Sequence, residues 1–191
     1  DLMNGGGRHR WWNNFKEDIA ELGLEHKVLG LKVDAQSIPL KDFSVSKVVA
    51  AHSIRNFQDK RAIRNAICEM YRVLSKKGAM VIAENVPIAR NKSQEAHIAV
   101  YKCKCKYTRS DLFYFSREEL VEVFEEAGLR EVDVKIVDYN LSAAPPIFHL
   151  NLSLLREGEI QEAQREYARA INMVKKYGET SPPTAIIKAT K

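Results

Sequence analysis

Residues 47–85, KVVAAHSIRNFQDKRAIRNAICEMYRVLSKKGAMVIAEN, predict the centre of the fold. Two short apolar runs, 47–52 and 79–85, flank a longer segment whose apolar residues recur at helical spacing. These residues are Ile63, Ile67, Met70, Val73 and Leu74. The spacing indicates an amphipathic helix, which Gly78 is expected to close. Two strands joined by a helix-length crossover predict a parallel βαβ unit, and uninterrupted apolar strands predict burial on both faces of the sheet.

Apolar and polar segments alternate along the rest of the chain as well. The predicted helices are at 10–24, 115–129 and 157–178, and the predicted strands are at 27–33, 130–139 and 183–190. Ser116 followed by Glu119 is typical of a capping box. Residues 86–113 are interpreted as an irregular lid or substrate-side insertion. The sequence therefore predicts one α/β domain over 1–191, with a mostly parallel sheet, helices on both faces and an antiparallel pair at the edge.

Composition narrows the class of protein. The chain has 191 residues, of which 45% are hydrophobic and 29% charged, as in a soluble globular domain. No apolar run approaches the length of a membrane span, and the N-terminus lacks the pattern of a secretory signal, so a cytosolic protein is expected. The formal charge of +5 favours an anionic ligand or a nucleic acid without requiring either.

Three cysteines, Cys68, Cys103 and Cys105, predict reduced thiols, because an odd number does not form a disulfide framework. Cys103 and Cys105 alternate with lysines in YKCKCKY, and the lysines are expected to lower the thiol pKa values. A soft metal or a thiophilic substrate is one interpretation, and reduced cysteines in a basic lid are the other. Two thiols are an incomplete zinc set, so no metal site is predicted.

Several motifs in order resemble class I S-adenosylmethionine-dependent methyltransferases. The first is VDAQSIPLKDFS at 33–44, which resembles the stretch that these enzymes carry after their third strand. The segments EMYRVLSKKGAMVIAE and FYFSREELVEVFEEAGLREVDV continue the match. The triplet Ile54-Arg55-Asn56 is similar to one in the methyltransferases of ubiquinone and menaquinone biosynthesis. The resemblance implies a Rossmann-like fold, S-adenosylmethionine as cofactor, and methyl transfer to a small or medium-sized acceptor.

On the cofactor side, the resemblance implies that Asp34 binds the adenine amine, with the backbone of Ala35 or Gln36 on a ring nitrogen and Ile38 or Leu40 against the base. Ligands of open parallel sheets lie outside the carboxyl ends of the strands, which is where Asp34 falls. The alternative is an acid that only turns the chain after a strand. Asp1 is interpreted either as the acid that binds the ribose hydroxyls or as part of a frayed terminus.

On the acceptor side, His52 follows a predicted strand at its carboxyl end, where an imidazole can act as a base or line the pocket. Arg55 is expected to bind an anionic group of the acceptor or to pair with a carboxylate on the helix that follows it. The remaining expected substrate-binding residues are Asn56, Glu84, Asn85, His97 and Tyr101.

One element of the resemblance is missing from these 191 residues: the first strand with its glycine-rich loop, which Gly5 to Gly7 do not replace. The expectations are a domain that is incomplete at its N-terminus and strands 27–33 and 47–52 that either flank an absent pair or join each other directly. Two other functions remain open. An RNA methyltransferase would use Lys102, Lys104 and Lys106 on phosphates. A catalytically silent subunit would keep the fold but bind a partner in place of the cofactor. Assembly into a homo-oligomer is a separate interpretation.

Overall fold

The computed structural model describes residues 11–57, 59–108, 114–142 and 155–191. The strands in this part are β1 Val45–Ala51, β2 Leu74–Asn85, β3 Arg130–Val137 and β4 Thr184–Thr190. The helices are α1 Trp11–Glu21, α2 Lys60–Val73, α3 Lys92–Thr108, α4 Arg117–Glu126 and α5 Glu157–Tyr177, with a 3₁₀ turn at Ile54–Asn56. No helix among the described residues is both long enough and apolar enough to cross a membrane.

The four described strands form one mixed sheet in the order β1-β2-β4-β3. β1 and β2 are parallel and joined by α2, which confirms the predicted βαβ unit. β4 runs antiparallel to both β2 and β3, so the predicted antiparallel pair lies at one end of the sheet, with β4 inside it. β1, β2 and β3 run in one direction and only β4 opposes them among the described strands, so the predicted α/β fold with a mostly parallel sheet is confirmed.

The main core lies between the sheet and the helices α2 and α4. Buried side chains of α2, such as Ile63 and Ile67, meet Met80 and Ile82 of β2 and Phe124 of α4. α4 begins with the predicted capping box: Ser116 Oγ accepts from Glu119 N at 3.1 Å, and Ser116 N donates to Glu119 Oε2 at 2.9 Å. This reciprocal cap fixes where the helix enters the core.

The opposite face of the sheet is more open. Val49 is 73% exposed there, and Lys188 on β4 is exposed as well. The expectation that β1 is buried on both faces is therefore wrong, because no described helix covers Val49.

The prediction of a strand at 27–33 is also wrong, since these residues form no regular secondary structure. Leu29 in this segment is 81% exposed. A strand needs a neighbour to satisfy its backbone groups, and none of the described strands pairs with 27–33. β1 stands at the edge of the described sheet, so 27–33 and 47–52 do not pair directly. The expected incompleteness of the domain stays a prediction.

The sequence predicted that Gly78 closes α2, but this prediction is wrong, because Gly78 lies inside β2. The helix ends at Val73, and Leu74 is already extended at φ −68° and ψ 129°. A Cβ on Gly78 would lie 2.7 Å from the side chain of Leu74, so a glycine is required by this close contact rather than by a helix cap.

The interpretation of 86–113 as irregular is wrong for most of its length, because α3 fills 92–108. α3 packs on α5 through Cys103 and Tyr107 against Ala163. Burial raises the pKa of both Cys103 and Cys105 thiols, which overrides the expected effect of the neighbouring lysines. No three His, Cys, Asp or Glu side chains of the described residues are grouped to hold a metal ion.

Candidate active site

The carboxyl ends of β1 and β2 bring four of the predicted site residues together. His52 follows β1 directly and has a left-handed backbone at φ 49°, while its N–H donates to Ala83 O of β2 at 2.8 Å. A non-glycine residue in this region is uncommon and is held only where surrounding contacts determine it. The turn places His52 beside Glu84 and Asn85, the last two residues of β2.

Glu84 is the centre of this group. Its side chain is 1% exposed, and Oε1 lies 3.7 Å from His52 Nδ1 and 3.8 Å from Arg55 Nε. The backbone N–H groups of Arg55 and Asn85 donate to the same carboxylate at 3.4 and 3.2 Å. A buried carboxylate needs a cation and hydrogen-bond donors, and the 3₁₀ turn supplies the Arg55 guanidinium and its N–H together.

A cavity of about 310 Å³ opens beside this group. Its polar part includes His52, Arg55, Asn85 and Thr184, and Thr184 Oγ1 donates to Asn85 Oδ1 at 3.1 Å. The opposite wall comes from two loops, residues 139–141 and 181–182. A small cavity with apolar walls and a few convergent polar groups is typical of a site for a small molecule.

α3 holds both wall loops in place through Gln94, which is 0% exposed. Gln94 Nε2 donates to Asp138 Oδ1 at 3.0 Å and to Ser181 O at 3.2 Å, and Oε1 accepts from Arg90 N at 2.7 Å. Ser93 Oγ lies 2.8 Å from Thr180 Oγ1 in the same interface. Residues 92–108 of the segment predicted as a lid thus form α3, a partly buried helix that contacts both wall loops.

His97 and Tyr101, predicted to bind substrate, lie further along α3 in a second polar cluster. His97 Nε2 is 2.8 Å from Tyr114 Oη, and Nδ1 is 2.6 Å from Glu179 Oε1. Tyr101 stacks on His97 and packs against Tyr114, with ring centroids 6.4 and 4.4 Å apart. Burial, and secondarily the charge of Arg55, lowers the pKa of His97 to about 4.

The predicted cofactor residues lie in a separate loop that is clamped to α2. Asp34 Oδ1 accepts from Gln36 N at 2.9 Å, so of the two N–H groups considered for the adenine, that of Gln36 is engaged. Ala35 and Ile38 are half-buried against the main core. No described contact joins this loop to Glu84, and Asp1 lies outside the described residues.

The clamp consists of Glu69 and Arg72 on α2. Ile38 N donates to Glu69 Oε2 at 2.9 Å, and Arg72 donates to Ile38 O and Leu40 O at 2.8 Å each. The pKa of Glu69 lies below its usual range, mainly because Arg72 donates hydrogen bonds to its carboxylate. The loop after position 33 is thus fixed by side chains of α2, such as Glu69, which lies 31 residues beyond Ile38 in the sequence.

Sequence reasoning found the residues at strand ends and missed three others: Gln94, Tyr114 and Glu179. It did place Asn56, whose Nδ2 donates to His52 O at 3.3 Å. Strand ends are readable because the parallel sheet brings them together. The position of the missed residues depends on how α3 packs. Gln94 is itself an ordinary helix residue, so the sequence around it did not mark it.

Residues 12–82 match the model of a methyltransferase domain. None of the curated proteins matches the chain significantly. Among solved structures, the [4+2]-cyclase SpnF is 25% identical with a TM-score of 0.56, covering 92% of this chain and 60% of its own. An S-adenosylmethionine-dependent methyltransferase from Thermotoga maritima is 22% identical with a TM-score of 0.51, covering 92% and 70%.

A further methyltransferase, from Archaeoglobus fulgidus, is 15% identical with a TM-score of 0.50, covering 94% of this chain and 81% of its own. These last two likenesses show the fold. Together with the match to the methyltransferase domain, they support an S-adenosylmethionine-dependent methyltransferase, and S-adenosylmethionine is the cofactor that they imply. The chain spans less than two thirds of SpnF, so its substrate and complete activity are matters for proposal.

Proposed function

We propose that this methyltransferase domain transfers a methyl group from S-adenosylmethionine to a small or medium-sized acceptor bound beside Glu84. The observation that carries the proposal is the convergence of His52, Arg55 and Asn85 on a buried carboxylate next to a cavity of about 310 Å³. The site lies at the carboxyl ends of parallel strands, where ligands bind in open α/β sheets.

The 34–38 loop fits the adenine part of the cofactor. Asp34 would offer its carboxylate to an exocyclic amine and the Ala35 N–H would meet a ring nitrogen, while Ile38 supplies half-buried apolar surface. The clamp from α2 fixes this loop before any ligand arrives, which lowers the entropic cost of binding. When bound, the cofactor supplies an electrophilic methyl group on a sulfonium.

On the acceptor side, the protein binds and orients. Glu84 lies beside the Arg55 guanidinium and the His52 imidazole, so a hydroxyl or carbonyl of the acceptor meets polar groups that are already gathered at the site. His52 is 44% exposed at its side chain and faces the cavity, where it either accepts a proton or only lines the wall. Transfer to a ring carbon, as the Ile54-Arg55-Asn56 triplet suggests, is part of the same proposal.

Binding of cofactor is tested by calorimetry with S-adenosylmethionine. We expect Asp34→Ala to weaken binding about tenfold, the value of one charge-assisted hydrogen bond. Asp133→Ala, in the distant strand β3, is the matched control and should bind as wild type does. Equal affinity of Asp34→Ala and wild type would exclude the adenine contact.

The RNA alternative is weakened by the surroundings of Lys106, one of its three lysines. Lys106 Nζ donates to Glu162 and Glu166 of α5 at 3.0 and 2.9 Å, so carboxylates already neutralise it. If RNA is nevertheless the substrate, alanine at 102, 104 and 106 must reduce RNA binding and flatten its dependence on salt. The three free thiols fit the proposed cytosolic location.

A further inference from the structure

The cavity beside Glu84 has one permanent charge on its described wall. Arg55 lines the cavity, and the other described lining residues carry no permanent charge. Glu84 is not among the lining residues, since its side chain is 1% exposed. A molecule that enters the cavity therefore meets the guanidinium of Arg55 and not the carboxylate behind it.

The approach of Arg55 to Glu84 leaves the guanidinium with donors to spare. Arg55 Nε lies 3.8 Å from Glu84 Oε1, which is beyond hydrogen-bond distance, and the Arg55 side chain is 26% exposed. The hydrogen bonds that Glu84 accepts come from the backbone N–H groups of Arg55 and Asn85. This carboxylate belongs to β2, so the pairing expected with the helix after Arg55 is not found among the described residues.

The chemistry of the guanidinium indicates the class of ligand. Its planar fork of N–H donors matches the two oxygens of a carboxylate, and it stays charged at every physiological pH. One positive charge balances a monoanion, whereas a phosphate monoester carries close to two negative charges at pH 7. Asn85 Oδ1 accepts from Thr184 Oγ1 at 3.1 Å, which leaves the Asn85 amide N–H groups as further donors on the same wall.

We propose that the methyl acceptor carries a carboxylate and that Arg55 binds this carboxylate in the cavity. The inference rests on the proposed function and names the substrate class of that site as small carboxylic acids. Arg55 determines specificity and positions the acceptor, and it takes no part in proton transfer. Glu84 remains behind the wall as the counter-charge that keeps the guanidinium at the end of β2.

The selectivity is tested with benzoate and benzamide, which have nearly the same shape and differ in charge. NMR titration of the ¹⁵N-labelled chain measures both affinities and shows which backbone amides shift. We expect benzoate to bind about tenfold more tightly than benzamide, the value of one charge-assisted hydrogen bond, with shifts at residues 52–55, 84–85 and 181–184. Equal binding of the two probes, or benzoate shifts that lie only outside these residues, would overturn the proposal.

Replacement of Arg55 tests the contact directly. Arg55→Gln should reduce the ratio of benzoate to benzamide affinity to about one, because the variant keeps polar atoms but loses the charge. Arg64→Gln is the matched control, since Arg64 is an exposed arginine of α2 paired with Glu126, and it should keep the ratio of the wild type. An unchanged ratio in Arg55→Gln would refute the contact.

Arg55→Gln also deprives the buried Glu84 of its cation, so a second pair of variants tests the charge without touching Arg55. Ser181 belongs to the opposite wall of the cavity. Ser181→Asp adds a carboxylate there and should reduce the ratio to about one, whereas Ser181→Asn, which has the same shape without the charge, should keep it. Equal ratios in these two variants would contradict the proposal even if Arg55→Gln does not fold.

Inorganic phosphate and S-adenosylmethionine separate the inference from its alternatives. Phosphate that binds at the same residues as tightly as benzoate would indicate a general anion site and overturn the choice of a carboxylate. S-adenosylmethionine has a carboxylate of its own, so benzoate should bind equally well when the cofactor is saturating, and competition between them would assign Arg55 to the cofactor instead. Absence of S-adenosylmethionine binding in calorimetry would refute the proposed function, while the benzoate ratio would still decide whether the cavity selects carboxylates.

Discussion

Replacement of Gln94 by leucine tests whether α3 supports the cavity. Leucine is close in volume to glutamine but makes none of its three side-chain hydrogen bonds, to Arg90 N, Asp138 Oδ1 and Ser181 O. The backbone N–H of Gln94, which donates to Asn91 Oδ1 at 2.9 Å, is retained in the variant. The change therefore removes the side-chain bonds with little effect on packing or on the start of the helix.

The expected loss follows from the hydrogen bonds. Each contributes on the order of 1 kcal/mol net, and a partner left buried without a bond costs more, so Gln94→Leu should lower the free energy of unfolding by about 3 kcal/mol. Because Asp138 precedes one wall loop of the cavity and Ser181 belongs to the other, the variant should also bind cavity ligands more weakly. The loss of stability and the loss of binding should appear together.

Unfolding in urea, followed by circular dichroism, measures the change. Gln161→Leu is the matched control, since Gln161 is an exposed glutamine on α5 and its replacement should change stability by less than about 0.5 kcal/mol. A loss below about 1 kcal/mol in Gln94→Leu, or a loss equal to that of Gln161→Leu, would refute the supporting role of α3.

Three further predictions concern pH, the helix cap and the loop clamp. Since the pKa of His97 falls from 6.5 to about 4 on folding, the unfolded chain binds more protons between these values, and acidification through this window should destabilise the fold by at most about 3 kcal/mol. The raised pKa of Glu179 acts in the opposite direction, because its contribution to stability is lost as the pH rises. His97→Gln removes the group that titrates in this window, so this variant should lose less stability than the wild type between pH 6.5 and 4 in urea titrations. An identical profile would contradict this account. Ser116→Ala should lower the free energy of unfolding by about 1 kcal/mol through loss of the cap, and an unchanged urea midpoint would count against it. Arg72→Met should increase the amide hydrogen exchange of residues 34–42 and weaken S-adenosylmethionine binding, whereas unchanged exchange would show that Arg72 does not hold the loop.

The parts of the fold that were predictable from sequence are those decided locally. The capping box at Ser116 needs only residues three positions apart, and the apolar stripe of α2 is visible in its own 14 residues. The sequence did not predict α3, because this helix is buried on more than one side. Its buried residues Ile98, Val100 and Cys103 do not share one stripe. The 27–33 segment was misread because apolar residues alone do not make a strand when no neighbour pairs with it.

The candidate site divides along the same line. Glu84 and Asn85 were predicted because they end a strand, and strand ends of a parallel sheet converge. Glu179 was not predictable, since its contact with His97 joins residues 82 positions apart and nothing near it in the sequence resembles a motif. Long-range packing thus decides the second polar cluster, whereas topology decides the first.

The place of β4 in the sheet has a consequence for how the chain folds as it leaves the ribosome. β4 is the last of the four strands to be synthesised, yet it lies between β2 and β3. β3 therefore emerges with no strand to pair with and must wait until α5 and then residues 184–190 have followed it. During that interval the unpaired edges of β2 and β3 are exposed to other nascent chains. We expect completion of the sheet to be slow and late, because the pairing that closes it is also among the most distant in sequence.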